Sequence, residues 1–192
     1  MTDSATAQAP GRRERLVAGA RSLIHEQGVH RTTIADVAER SDVPAGNVYY
    51  YFKTKDELVG AVIESYLADI RAALDRLGRH RTPQARLKAL VQMWVDQRDD
   101  VAENGCPLGS LCSELDKDDG SGLAIDAAEM LRIEVDWAEE QFRSMGRRDA
   151  RELALTLLGG IQGAALMTNT FREPEILPRQ ARQLDRWIDS LE

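Results

Sequence analysis

The stretch Pro44-Ala-Gly-Asn-Val-Tyr-Tyr-Tyr-Phe-Lys-Thr-Lys55 gathers the side chains best suited to holding a polyanion. Tyr49, Tyr50 and Tyr51 are consecutive, so on a helix at least two of them cannot share a buried face. Each phenol can donate a hydrogen bond to a phosphate oxygen. Asn47 carries a donor and an acceptor on one amide, the pair that matches the major-groove edge of adenine. Ala45 and Gly46 are small enough to let the backbone approach base edges. Lys55 falls in the first turn of a following helix, where free amides and a cation together can hold a phosphate. Thr33 stands at an earlier helix start and can do the same. The plainer reading makes Tyr49, Tyr50 and Tyr51 core aromatics at a helix junction.

These residues need a scaffold, and the periodicity supplies one. A first helix over Arg12–Gln27 lines up Leu16, Val17, Ala20, Leu23 and Ile24, and Gly28 fits a left-handed stop. Thr33 opens a second helix, with Asp36 three residues on as an Asp variant of the capping box. That helix ends near Ser41. Asp42 tolerates turn geometry and Pro44 suits the first turn of a third helix over Pro44–Tyr51. Val48 and Phe52 then face Ile34 and Val37. Thr54 caps a long fourth helix reaching Leu77. A short helix, a tight turn and a second short helix form a helix-turn-helix, whose second helix enters the major groove by its N-terminal residues.

The remainder also reads as helical, with no alternating strand and no repeat. Helices are expected over Pro83–Glu103, Pro107–Leu115, Leu123–Met145, Asp149–Phe171 and Pro178–Leu191. The charged, glycine-containing segment Asp116–Gly122 is a loop. Gly159 and Gly163 are small residues at four-residue spacing, which lets another helix come close. Leu184, Trp187, Ile188 and Leu191 make an apolar stripe. Together they predict a four-helix dimer interface about a two-fold axis, with intrachain core as the alternative. Polar groups set into apolar stripes mark a ligand pocket: Trp94 with Arg98, Glu134 with Phe142, and Gln162 with Asn169.

Cys106 and Cys112 flank the start of the Pro107 helix. A helix N-terminus lowers a thiol pKa, so Cys106 is a candidate electrophile or oxidant sensor; a small buried helix-start residue is the plainer reading. No metal site is expected, because His25, His30 and His80 show no ligand spacing. No cofactor motif is present. Neither a Ser/His/Asp set nor paired carboxylates on one helix face supports an enzyme built on a helical bundle.

Composition opposes a nucleic-acid role only in sum. The chain has 192 residues, 43% hydrophobic and 30% charged, a balance that excludes wholesale disorder. Its net charge is -7 and its pI about 5.1, whereas phosphates demand positive charge. Yet residues 1–57 hold eight basic and eight acidic side chains, so the whole excess of acid lies beyond Glu57. Two cysteines fit a reducing cytosol. Neither a secretory signal nor an apolar run of about 18 residues is visible, so no membrane association is expected.

The stretch Thr33-Ile-Ala-Asp-Val-Ala-Glu-Arg-Ser-Asp-Val-Pro-Ala-Gly-Asn-Val-Tyr-Tyr-Tyr-Phe-Lys-Thr-Lys-Asp-Glu-Leu58 resembles the signature of TetR-type transcriptional regulators. The resemblance implies an all-α homodimer that binds double-stranded DNA at a palindromic operator and is released by a small-molecule effector. Residues 1–9 would be a tail, 10–57 the three-helix helix-turn-helix domain, and 58–192 the larger ligand-binding and dimerisation domain of a cytoplasmic repressor. By position in the motif, Thr33, Ala45, Gly46, Asn47, Tyr49, Tyr50, Tyr51 and Lys55 would touch DNA. Asp42 stands where the family usually has glycine, and Pro44 and Ala45 where polar or basic residues are common. A Gly-Cys-Pro-Leu-Gly stretch like that at Gly105 also occurs in members that resemble electrophile sensors.

Overall fold

A computed structural model describes residues 11–117 and 122–191. The tail expected over residues 1–9 lies outside the described residues, as do residues 118–121 of the expected loop. The described residues form ten helices and no strand. They are α1 (Arg12–Gln27), α2 (Ile34–Arg40), α3 (Ala45–Tyr51), α4 (Lys55–Leu77) and α5 (Pro83–Asp96). Then follow α6 (Arg98–Asn104), α7 (Pro107–Leu115), α8 (Leu123–Ser144), α9 (Ala150–Phe171) and α10 (Ile176–Asp189). The protein is all-α. It divides into two compact units, Met1–Val62 and Ile63–Glu192, and α4 contributes to both.

In the N-terminal unit local chemistry sets each boundary. The Thr33 N–H donates to Asp36 Oδ2 at 2.9 Å while Thr33 Oγ1 accepts from the Asp36 N–H at 3.2 Å, so the expected capping box closes. The α2–α3 turn is a Schellman motif. The Asp42 N–H donates to the Glu39 carbonyl at 3.2 Å and the Val43 N–H to the Ala38 carbonyl at 3.0 Å. Asp42 takes the left-handed position with φ 50, a role in which glycine is commonest and Asp is tolerated. Gly19 is fixed by a close approach, since a Cβ there would lie 2.3 Å from Ser41 Oγ. Leu16, Ala20, Val37, Val48 and Phe52 form the core. Outside it, Arg40 donates to both carboxylate oxygens of Glu26 at 2.8 Å and to Ser22, tying α2 to α1. The Arg40 contact holds the Glu26 carboxyl down at about 2.

In the C-terminal unit α8 packs on α7 and α9, and α10 packs on α5 and α9. Several expected helix ends shift by a residue or two, and two changes have a local cause. The helix expected over Pro83–Glu103 breaks at Gln97 (φ -99, ψ 8), whose side chain turns back to the Met93 carbonyl at 3.1 Å. Asp99 and Asp100 then sit in the first turn of α6, where acid favours a helix restart. α10 begins before Pro178, which occupies its third position and lacks only an N–H that the helix could not have paired.

The left-handed turn residue is open to test. Asp42→Gly should hold or slightly raise stability, whereas Asp42→Val should cost about 1–2 kcal/mol in denaturant unfolding. An unchanged midpoint for the valine variant would show that the α2–α3 turn does not depend on this backbone conformation.

Candidate functional site

The seven residues of α3 divide sharply between inside and outside. Val48 is fully buried and Phe52 just beyond the helix is 2% exposed, whereas Tyr49 is 55% and Tyr50 78% exposed. Pro44, Ala45 and Gly46 are exposed and Asn47 is half-buried. A Cβ on Gly46 would meet nothing within 4 Å, so the outer face of α3 at its N-terminus is unobstructed. Tyr51 is half-buried and meets Tyr50 edge-on at 5.0 Å. The tyrosines are thus not a core cluster. Two of them present their phenols to solvent.

Thr33 is exposed; its oxygen accepts from the Asp36 N–H, and its hydroxyl together with its backbone N–H holds the Asp36 carboxyl below the usual carboxylate range. Lys55 is half-buried as the first residue of α4. That start is fixed by Thr54, whose Oγ1 accepts from the Glu57 N–H at 3.1 Å, and by Glu57 Oε2, which accepts from the Lys53 N–H at 2.6 Å. Two cations that spacing did not single out stand beside α3. The Lys53 ammonium donates to the Tyr49 carbonyl at 2.7 Å, and the Arg13 guanidinium lies 5.3 Å over the Phe52 ring. Arg13 is far from the motif in sequence, and only the fold brings it there.

The interior candidates do not form one group. Trp94 lines a void of about 10 Å³ with Val91, Ile161 and Leu184, room for about one water. Arg98 begins α6 beyond the Gln97 break, is half-buried, and lies 3.9 Å from Asp99. Phe142 is fully buried and packs edge-on against Trp187, with ring centroids 5.8 Å apart. The Asn169 amide donates to the Ala102 carbonyl at 3.2 Å, and Arg172 donates to the same carbonyl at 2.8 Å and to that of Glu103, so both are committed to the end of α6. Gln162 lies beside Cys106, its Oε1 3.3 Å and the Cys106 sulfur 3.5 Å from where a Cβ on Gly109 would stand. The Gln162 side chain and the Glu134 charge both act on the Cys106 thiol. Glu134 is 2% exposed and its Oε2 has no partner, while the buried Gln162 Nε2 meets no oxygen. Burial pushes the Glu134 carboxyl up to about 7.

Cys106 corrects the expectation of an activated thiol. It is the N-cap of α7, its sulfur accepting from the Gly109 N–H at 3.2 Å. That contact favours the thiolate, but burial outweighs it and pushes the thiol up to about 11. Burial also raises Cys112, whose thiol donates to the Ala127 carbonyl at 3.2 Å. Among the described residues no group of His, Cys, Asp and Glu could hold a metal ion, and no helix is long and apolar enough to cross a membrane.

The expected dimer stripe is also corrected in part. Leu184 is 7% and Ile188 0% exposed within one chain, and Leu184 lies 3.2 Å from where a Cβ on Gly160 would stand, so both are intrachain core. Trp187 and Leu191 are half-buried. A Cβ on Gly159 or Gly163 would meet nothing within 4 Å, so these two glycines do face outward. They share α9 with Leu155, Leu166, Met167 and Phe171, which are all exposed.

Residues 16–62 match the family described as bacterial regulatory proteins, tetR family. An HTH-type transcriptional regulator of Mycobacterium tuberculosis is 29% identical over 182 residues, covering 91% of this chain and 92% of its own. The HTH-type transcriptional regulator BetI of Burkholderia ambifaria is 37% identical over 82 residues, 42% of each chain. A TetR transcriptional regulator from Legionella pneumophila superposes with a TM-score of 0.83 at 17% identity, covering 92% of this chain and 97% of its own. Reduced NemR of E. coli superposes at 0.79 with 19% identity, over 90% and 94%. At these identities the solved structures speak to the fold.

Two interior groups give direct checks. Cys106 should resist iodoacetamide in the native protein at about pH 7.5 and react on unfolding; rapid native alkylation at Cys106 would contradict its burial. Glu134 is harder to ionise folded than unfolded, so stability should fall as pH rises from about 4.5 to about 7 and then level off. The drop is at most about 3 kcal/mol. Glu134→Gln should abolish this part of the pH dependence of unfolding.

Proposed function

We propose that this chain, a DNA-binding transcriptional regulator of the TetR family and not an enzyme, is a homodimeric, ligand-responsive repressor acting at an inverted-repeat operator in the cytoplasm. The observation that carries the DNA half is the open face of α3, with Gly46 unobstructed and Tyr49 and Tyr50 exposed. Ala45, Gly46 and Asn47 approach base edges, while Thr33, Tyr49, Tyr50, Tyr51 and Lys55 hold phosphates on either side. Lys53 and Arg13 add positive charge beside them.

Two copies pair through the outward face of α9, where Gly159 and Gly163 allow close approach and Leu155, Leu166, Met167 and Phe171 supply apolar area. The pairing sets two recognition helices at a fixed separation, so half-sites on the operator are spaced by whole helical turns. The C-terminal unit binds the effector. The 23-residue α4, which starts at Lys55 and ends at Leu77, is the lever that couples the two events. DNA and effector then weaken each other's binding by the same factor.

The test starts from a duplex selected out of random sequence by the full chain. Tyr50→Ala and Lys55→Ala should each weaken binding to it by about 1–3 kcal/mol, and Lys55→Ala should lower the salt slope by about one. Gly46→Ala should leave the unfolding temperature unchanged or higher, because the site is open and alanine favours helix, yet still weaken DNA binding. Undiminished binding by all three variants would overturn this assignment of contacts.

A further inference from the structure

Glu134 is the least compensated polar group of the C-terminal unit. It lies in the middle of α8, with fully buried Met130 and Ala138 one turn away on either side. Its Oε2 is buried and has no partner. Leaving such an oxygen unmet costs more than replacing the whole group by an apolar one, so structure alone gives no reason for a carboxyl here. Among the described residues no basic side chain stands against it. From α7 the titratable neighbour is the Cys106 thiol, itself discouraged from ionising. From α9 comes the neutral Gln162 amide, whose buried Nε2 meets no oxygen and has only the weakly accepting Cys106 sulfur beside it. From α5, Arg86 donates instead to Gln141, two turns along α8, at 3.2 Å. Gln162 and Gly109, whose Cβ position is 3.3 Å from Gln162 Oε1, are not fully enclosed, so these groups lie just beneath the surface.

We infer that the effector is an organic cation with an apolar body, whose basic nitrogen donates to Glu134 Oε2 and which offers an acceptor to Gln162 Nε2. The inference rests on the reading that the C-terminal unit binds an effector. A cation supplies the charge that the interior lacks, and the apolar body matches Met130 and Ala138. Glu134 must ionise to receive it, so a proton leaves to solvent as the cation binds wherever the empty protein holds that carboxyl protonated.

The probes are 2-phenylethylamine, 2-phenylethanol and phenylacetate, which share one apolar body and differ in charge. Calorimetric titration of the full chain should show the amine binding at least about tenfold tighter than the alcohol at about pH 8. Its affinity should fall about tenfold at about pH 6, with proton release on binding. Glu134→Gln, nearly isosteric and relieved of a buried charge, should stay folded and lose the preference. Gln162→Leu, which leaves Glu134 in place, should keep the preference for the amine over the alcohol. Equal or tighter binding of the alcohol or the carboxylate, a preference that survives Glu134→Gln, or no binding by any of the three would overturn the inference. Operator release, measured separately, tells it from the reading beneath. Release by a neutral or anionic compound, independent of Glu134, sinks the cation alone. Amine binding that leaves DNA affinity unchanged sinks the ligand-responsive repressor and spares the site.

Discussion

A helix of seven residues does not persist on its own in water, because so short a helix cannot offset the cost of its nucleation. α3 exists because Val48 and Phe52 are buried against the helices before it. Burial of each contributes roughly 1.5–3 kcal/mol. That constraint organises the N-terminal unit. The inward edge of α3 holds its buried apolar contacts, and the outward edge is exposed. Gly46, Tyr49 and Tyr50 occupy that edge. The Schellman turn at Asp42 and the close approach at Gly19 aim it.

The same constraint resolves the chain's acidity. A net charge of -7 describes the whole molecule, but recognition depends on where cations stand. In the N-terminal unit several basic residues serve the fold. Arg40 is held by Glu26, Arg15 lies 3.9 Å from Asp42, and Arg13 stacks on Phe52. Lys53 donates to the Tyr49 carbonyl, and Lys55 at the start of α4 is the cation to which the proposed function gives an external phosphate. A surface of this kind gives little non-specific attraction and asks for a matched partner.

How much could be read beforehand depended on how local the cause was. The Thr33–Asp36 capping box, the left-handed Asp42 and the start of α7 at Pro107 follow from residues a few positions apart. The outward tyrosines followed from three in a row on one helix. Leu184 and Ile188 show the limit. A stripe at helical spacing says that a face is covered, but not whether by the same chain, and here α9 covers it. Cys106 shows another. A helix start and burial push a thiol in opposite directions, and only the packing of α7 and α8 reveals that burial wins. Glu134 stood out as an acid among apolar neighbours. Its want of a partner became visible only in three dimensions, as did the break at Gln97, which separates Arg98 from Trp94.

The proposed function has an acidic chain reading DNA through a few placed groups on an outward helix face that the core supports from behind. The affinity of the full protein for a selected palindromic duplex and for its scrambled counterpart, each across a range of salt, probes this without intermediaries. The matched duplex should be preferred by at least about a thousandfold, with a salt slope that reports only a handful of neutralised phosphates per bound protein. Equal affinity for both duplexes, with the steep slope of a strongly basic surface, would mean that bulk charge and not placement governs binding.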